Sequence, residues 1–181
     1  MYSCIIILIQ KVYYNHCVNS NRKEREKHMS LIHSPPTHDE YFREVAFVTS
    51  KRSPCQYLQS GCVLVRDNRL INQAHNTYIG DFFHDTHYTT IDETNSMFSR
   101  PDLEKMLINA EQNVLSDCAR RGISCENTTI YCTHMPCITS VRLLIASGIK
   151  CIKYSIVYNE NTMVPYMCKL SNVELVCISF L

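Results

Sequence analysis

One stretch constrains this chain more than any other: residues 108–150, INAEQNVLSDCARRGISCENTTIYCTHMPCITSVRLLIASGIK. Leu115, Cys118 and Ala119 recur at helical spacing over 109–121, and Gly122 stands where such a helix would stop. Residues 128–133 read as a strand. Pro136-Cys137 then opens a second helical pattern over 137–146, carried by Val141, Leu144 and Ile145 and closed by Gly148. A chain that alternates helix and strand in this way buries its apolar faces by layering helices on a sheet. Glu111 and Cys137 each fall at the start of one of the two helices.

The flanks extend the alternation. Tyr41, Val45, Ala46 and Val48 mark an amphipathic helix over 39–52, with Asp39 as its cap or first-turn acid. Residues 62–65 and 70–74 flank Asp67-Asn68, a hairpin signal. A strand over 149–157, a short helix over 164–170 and a strand over 173–179 close the chain. The order α-β-β-α-β-α-β-α-β predicts an α/β fold of three layers, with a mixed five-stranded sheet and helices on both faces. Residues 76–100 show no period and are rich in His, Asp, Thr, Tyr and Phe, so a functional insert or lid is expected there. Residues 1–37 are expected to be a poorly ordered extension and linker ending in Ser34-Pro35-Pro36-Thr37, with Met1 or Met29 as the start and 38–181 as the folded domain.

Composition narrows the class. With 181 residues, 45% hydrophobic and 19% charged, the chain suits a single globular domain with a sizeable core. A net charge of +1 gives no basis for nucleic acid or a membrane surface as partner. The apolar run at 4–9 falls far short of the roughly 20 residues that span a bilayer. Eleven cysteines, an odd number without a CxxC pair, point to reduced, buried thiols in a cytoplasmic protein.

Several spaced motifs carry a resemblance. Ala110-Glu111-Gln112-Asn113, residues 128–137 (TTIYCTHMPC) and residues 144–150 (LIASGIK) follow one another in order. Upstream of them stand Arg52-Ser53-Pro54-Cys55, Gly61-Cys62-Val63 and His75-Asn76. Over about 140 residues, from His38 onward, this resembles the deoxycytidylate (dCMP) deaminase branch of the cytidine deaminase superfamily. The resemblance implies a zinc ion held by one His and two Cys. It also implies a glutamate that moves a proton from the zinc-bound water to the base, and hydrolysis of a pyrimidine nucleotide from dCMP to dUMP. Carried over, Glu111 is the proton shuttle, Cys137 a zinc ligand and Asn76 a nucleotide contact, with a local Asx role as the alternative for Asn76. His84 takes the place of a family His, and Asp85 that of the Cys beside it. A homo-oligomer is implied by resemblance alone.

The same carry-over places the family's ligand His on Asn109 and its second ligand Cys on Ser140. Amide and hydroxyl groups are poor substitutes for imidazole and thiolate on zinc, and a catalytic site needs three protein ligands. Asn109 with Gln112 three residues on instead matches a capping box, and Ser140 reads as an innocuous first-turn residue. Glu111, without a metal, should take its neutral form or find a new partner. Cys118 and Cys132 are expected in the core, and His134 near the site without ligating. The functional expectations that follow are an impaired zinc-dependent dCMP deaminase, a deaminase-fold pseudoenzyme that binds nucleotide or an assembly partner, or the product of a decaying gene.

Overall fold

The computed structural model describes residues 35–55, 58–79, 105–157 and 162–179. Residues 1–34 of the expected extension, with the apolar run at 4–9, and residues 80–100 of the expected insert, with His84 and Asp85, therefore lie outside the described residues. The helices are α1 (His38–Ser50), α2 (Ala110–Arg121), α3 (Ile138–Ala146) and α4 (Met163–Leu170). The strands are β1 (Gly61–Arg66), β2 (Arg69–His75), β3 (Thr77–Tyr78), β4 (Leu107–Ile108), β5 (Thr129–His134), β6 (Cys151–Ile156) and β7 (Glu174–Cys177). Five strands form one sheet in the order β2-β1-β5-β6-β7. β1 runs antiparallel to β2 and β5, while β5, β6 and β7 are parallel. The mixed five-stranded α/β sheet expected from the alternation is thus present.

The hairpin forms where the sequence places it. Asp67 and Asn68 both take positive φ (51° and 56°), the backbone that a tight two-residue hairpin turn requires. β1 is covered on both faces, which is why its run Cys62-Val63-Leu64-Val65 is apolar without alternation. Cys62 and Leu64 face α2, α3 and α4 in the larger core, with Val114, Cys118, Ile130, Cys132, Val141, Leu144, Ile152 and Val164. Val63 and Val65 face the other way, against Phe42 and Ala46 of α1 and Tyr131. Among the described residues, helices therefore cover both faces, α1 on one and α2–α4 on the other.

The start of α1 decides between the two roles expected of Asp39, which is a first-turn acid. Thr37, not Asp39, is the cap: it exchanges bonds with Glu40, through Thr37 N–H to Glu40 Oε2 (2.7 Å) and Glu40 N–H to Thr37 Oγ1 (3.2 Å). Asp39 is left free to reach the sheet, where it accepts from the Tyr131 hydroxyl (2.7 Å) and from Lys153 Nζ (2.7 and 2.8 Å). Helix and sheet are thereby joined by a charged contact at the edge of the smaller core.

Gly61 fixes how closely α1 approaches the sheet. A Cβ there would lie 2.4 Å from Ala46 O and 2.6 Å from Ser50 N, both backbone atoms. Neither atom can rotate away, so Gly61→Ala forces α1 off the sheet. We expect a loss of about 2 kcal/mol, read as a lower urea midpoint at unchanged slope. An unchanged midpoint would mean that α1 slides freely over β1.

Candidate functional site

The site is built on the starts of α2 and α3, at the carboxyl end of β5. Asn109 caps α2 in extended backbone (φ −65°, ψ 155°) and Cys137 caps α3 likewise (φ −71°, ψ 166°). Asn109 is delivered by β4, whose Leu107 and Ile108 pair antiparallel with Tyr78 and Thr77 of β3. Sequence reasoning missed this two-residue ladder, which ties the chain on both sides of residues 80–104 to the head of α2. Cys137 follows a turn anchored by Met135 N–H to Ile156 O (2.8 Å).

Four side chains meet between the two helix starts. Asn109 Nδ2 lies 3.4 Å from Cys137 Sγ and 3.4 Å from Ser140 Oγ, and Cys137 Sγ lies 3.6 Å from Ser140 Oγ. Three corners of a tetrahedron built on bonds of about 2.1–2.3 Å are about 3.4–3.8 Å apart, so the three atoms have the spacing of zinc ligands. Their chemistry is different. Asn109 and Gln112 form a capping box, with the Asn109 side chain facing the Gln112 amide and Gln112 Oε1 accepting from Asn109 N–H at 3.1 Å. This turns the amide oxygen toward the helix and the NH2 toward Cys137 and Ser140. A cation at the centre would meet N–H donors where it needs lone pairs. Ser140 supplies a neutral hydroxyl, and Cys137 is the single strong zinc donor of the three. Zinc does not fit this donor set. Among the described residues no three His, Cys, Asp or Glu side chains converge as a metal site.

Glu111 lies one residue into α2, only 5% exposed. Burial pushes its carboxyl pKa up, against the opposing pull of hydrogen bonds from Ser140 and Cys132. Ser140 Oγ donates to Glu111 Oε2 at 3.1 Å and is itself fully buried. Ser140 is a first-turn residue, as expected, and is also a hydrogen-bond partner of Glu111. Cys132 is buried as expected, yet its thiol also meets Glu111; burial first, and then the Glu111 charge, push its pKa well up. Cys118 is a buried core residue that accepts from Asn72 Nδ2 (3.2 Å). His134 is half-buried beside Thr133 Oγ1 (2.9 Å to Nδ1), and burial lowers its pKa.

A cavity of about 320 Å³ opens over these groups, lined among others by Leu58, Ser60, Glu111, His134, Cys137 and Ile138. Asn76 stands behind this lining, 1% exposed. Its Oδ1 accepts from Ser60 N–H (2.9 Å) and its Nδ2 donates to Leu58 O (2.7 Å). Its own N–H reaches Ser60 O (3.0 Å). Asn113 of α2 donates to His75 O (3.0 Å), holding the end of β2 beside it. Glu111, Cys137, Asn109 and Ser140 therefore come together, and Asn76 holds Leu58 and Ser60, two further residues of the cavity lining.

The comparisons agree with this architecture. The family model for the cytidine and deoxycytidylate deaminase zinc-binding region matches residues 36–156. The chain is 31% identical over 128 residues to ComE operon protein 2 of Bacillus subtilis, covering 71% of this chain and 62% of that protein. It is 32% identical over 148 residues to deoxycytidylate deaminase of Schizosaccharomyces pombe, covering 77% of this chain and 44% of that protein. The chain thus spans less than two thirds of the length of either relative. The crystal structure of dCMP deaminase from the cyanophage S-TIM5 in complex with dCMP and dUMP superposes with a TM-score of 0.64 over 82% of this chain and all of that one, at 21% identity. That likeness is one of fold. With the family model covering both helix starts, β5 and the hairpin, the chain belongs to the cytidine and deoxycytidylate deaminase family.

Proposed function

We propose that this chain binds a pyrimidine nucleotide of the dCMP type in the cavity at the starts of α2 and α3, and that hydrolysis there is severely impaired. One observation carries the reading: three side-chain atoms stand at zinc-ligand spacing, 3.4–3.6 Å apart, and two of them are an amide nitrogen and a hydroxyl. Binding is supported by the cavity, which keeps Glu111 at its floor and apolar Leu58 and Ile138 at its walls. The S-TIM5 relative, crystallised with dCMP and dUMP, supports the same ligand class. Impairment is supported by the donor set, in which an amide NH2 and a neutral hydroxyl stand where strong donors would hold a metal that activates water. A slow residual deamination is a second reading, favoured by the retention of Glu111 together with Cys137. The reading extends to a folded domain over 38–181 in the cytoplasm, with residues 1–37 as an extension.

Two measurements on the purified full chain decide between the readings. Titration calorimetry with dCMP should give saturable heat, and a coupled ammonia assay should give no release above that of the Glu111→Gln variant. Turnover that Glu111→Gln abolishes, with one retained equivalent of zinc, would establish the enzyme instead. Absence of any nucleotide heat would leave a family scaffold with a role in assembly.

A further inference from the structure

We infer that Asn109, Cys137, Ser140 and Glu111 form a metal-independent polar clasp, joining the start of α2 to the start of α3 by hydrogen bonds where a metal would otherwise join them. The inference concerns what holds the fold at this point and is independent of nucleotide binding.

The hydrogen-bond accounting closes without a cation. The two N–H groups of the Asn109 amide have two acceptors, Cys137 Sγ and Ser140 Oγ, each at 3.4 Å. The Ser140 hydroxyl spends its single hydrogen on Glu111 Oε2 (3.1 Å), which leaves its lone pairs for Asn109 and for the Cys137 thiol at 3.6 Å. None of these four side chains has a buried polar atom left without a partner. A ligand set waiting for a metal would show the opposite, with lone pairs converging on an empty centre.

Direction supports the same conclusion. The Asn109 amide turns its NH2 toward the centre, 3.4 Å from both Cys137 Sγ and Ser140 Oγ, in keeping with its place in a capping box with Gln112. Ser140 sits at the crossing point, fully buried, 31 residues from Asn109 and 29 from Glu111 in sequence. Serine is small enough to stand between them and can donate and accept at once. The clasp thus connects two helix starts whose helices also contribute Val114, Val141 and Leu144 to the shared core. Ser140 and Glu111 are buried, Asn109 is half-buried and Cys137 is exposed, so the strongest part of the clasp is its inner half, where side-chain bonds reinforce one another at low dielectric.

Thermal unfolding of the full chain without nucleotide tests it. Treatment with a chelator, or addition of zinc chloride, should leave the midpoint of the parent protein unchanged within about 1 °C. Asn109→Ser keeps a capping side chain but removes the bridging NH2, and Ser140→Ala removes the hub. Each should lower the midpoint by about 5 °C, and the double variant should lower it by clearly less than the sum, since either change breaks the same network. A parent midpoint that falls by several degrees on chelation, or rises by as much with zinc, overturns the clasp. So does an additive double variant. The chelation arm needs no variant to fold, and no arm depends on whether dCMP binds.

Discussion

The Asn109→His, Ser140→Cys double variant acquires a tightly held zinc ion: after dialysis against metal-free buffer it retains one equivalent by elemental analysis, where the parent retains none. The expectation rests on spacing. The backbone already places the three side-chain ends 3.4–3.6 Å apart, as the corners of a tetrahedron around zinc must be. Replacing an amide and a hydroxyl with imidazole and thiolate changes the donors and leaves the frame. A complete set of such ligands binds zinc with about 10–16 kcal/mol, so supplying two of three should raise affinity by several orders of magnitude. The variant also removes the clasp, so its stability should depend on metal: below the parent without zinc and above it with zinc, as mass action requires. A folded double variant that stays metal-free would show that the frame has moved as well as the donors.

Much of the fold was legible in the sequence because its signals are local. The 3.6-residue spacing of Val141, Leu144 and Ile145, the turn at Asp67-Asn68 and the terminator Gly122, at φ 67°, each act within a few residues. The capping box of Asn109 and Gln112 was legible for the same reason. What escaped was long-range. The bond from Lys153 to the first-turn acid Asp39 spans 114 residues and leaves no local signal. The β3–β4 ladder has two residues a side and leaves no periodicity to detect. Ser140 looked neutral because its role depends on a second helix start 31 residues upstream arriving beside it. The site was therefore readable as a list of departures at Asn109 and Ser140, but not as a network in which those departures bond to each other.

Asn76→Ala destabilises the protein by about 4 kcal/mol and weakens dCMP binding together with stability. The Asn76 side chain bridges two backbone groups of the cavity wall, taking Ser60 N–H at 2.9 Å and giving to Leu58 O at 2.7 Å. Alanine leaves both groups buried without partners, at about 1–3 kcal/mol each, and opens space where a 1%-exposed side chain stood. The geometry needs one group that donates and accepts across a single amide, which alanine cannot supply. Leu58 and Ser60 line the cavity, so loss of their tether loosens the wall that faces Glu111 and Cys137. A residue that touched the nucleotide through an otherwise idle side chain would behave differently: its truncation would cost affinity while leaving the unfolding midpoint in place. Urea unfolding and dCMP titration on the same preparation separate the cases. A joint loss identifies Asn76 as a positioning residue of the wall, and a loss of affinity alone returns it to the role of a direct contact.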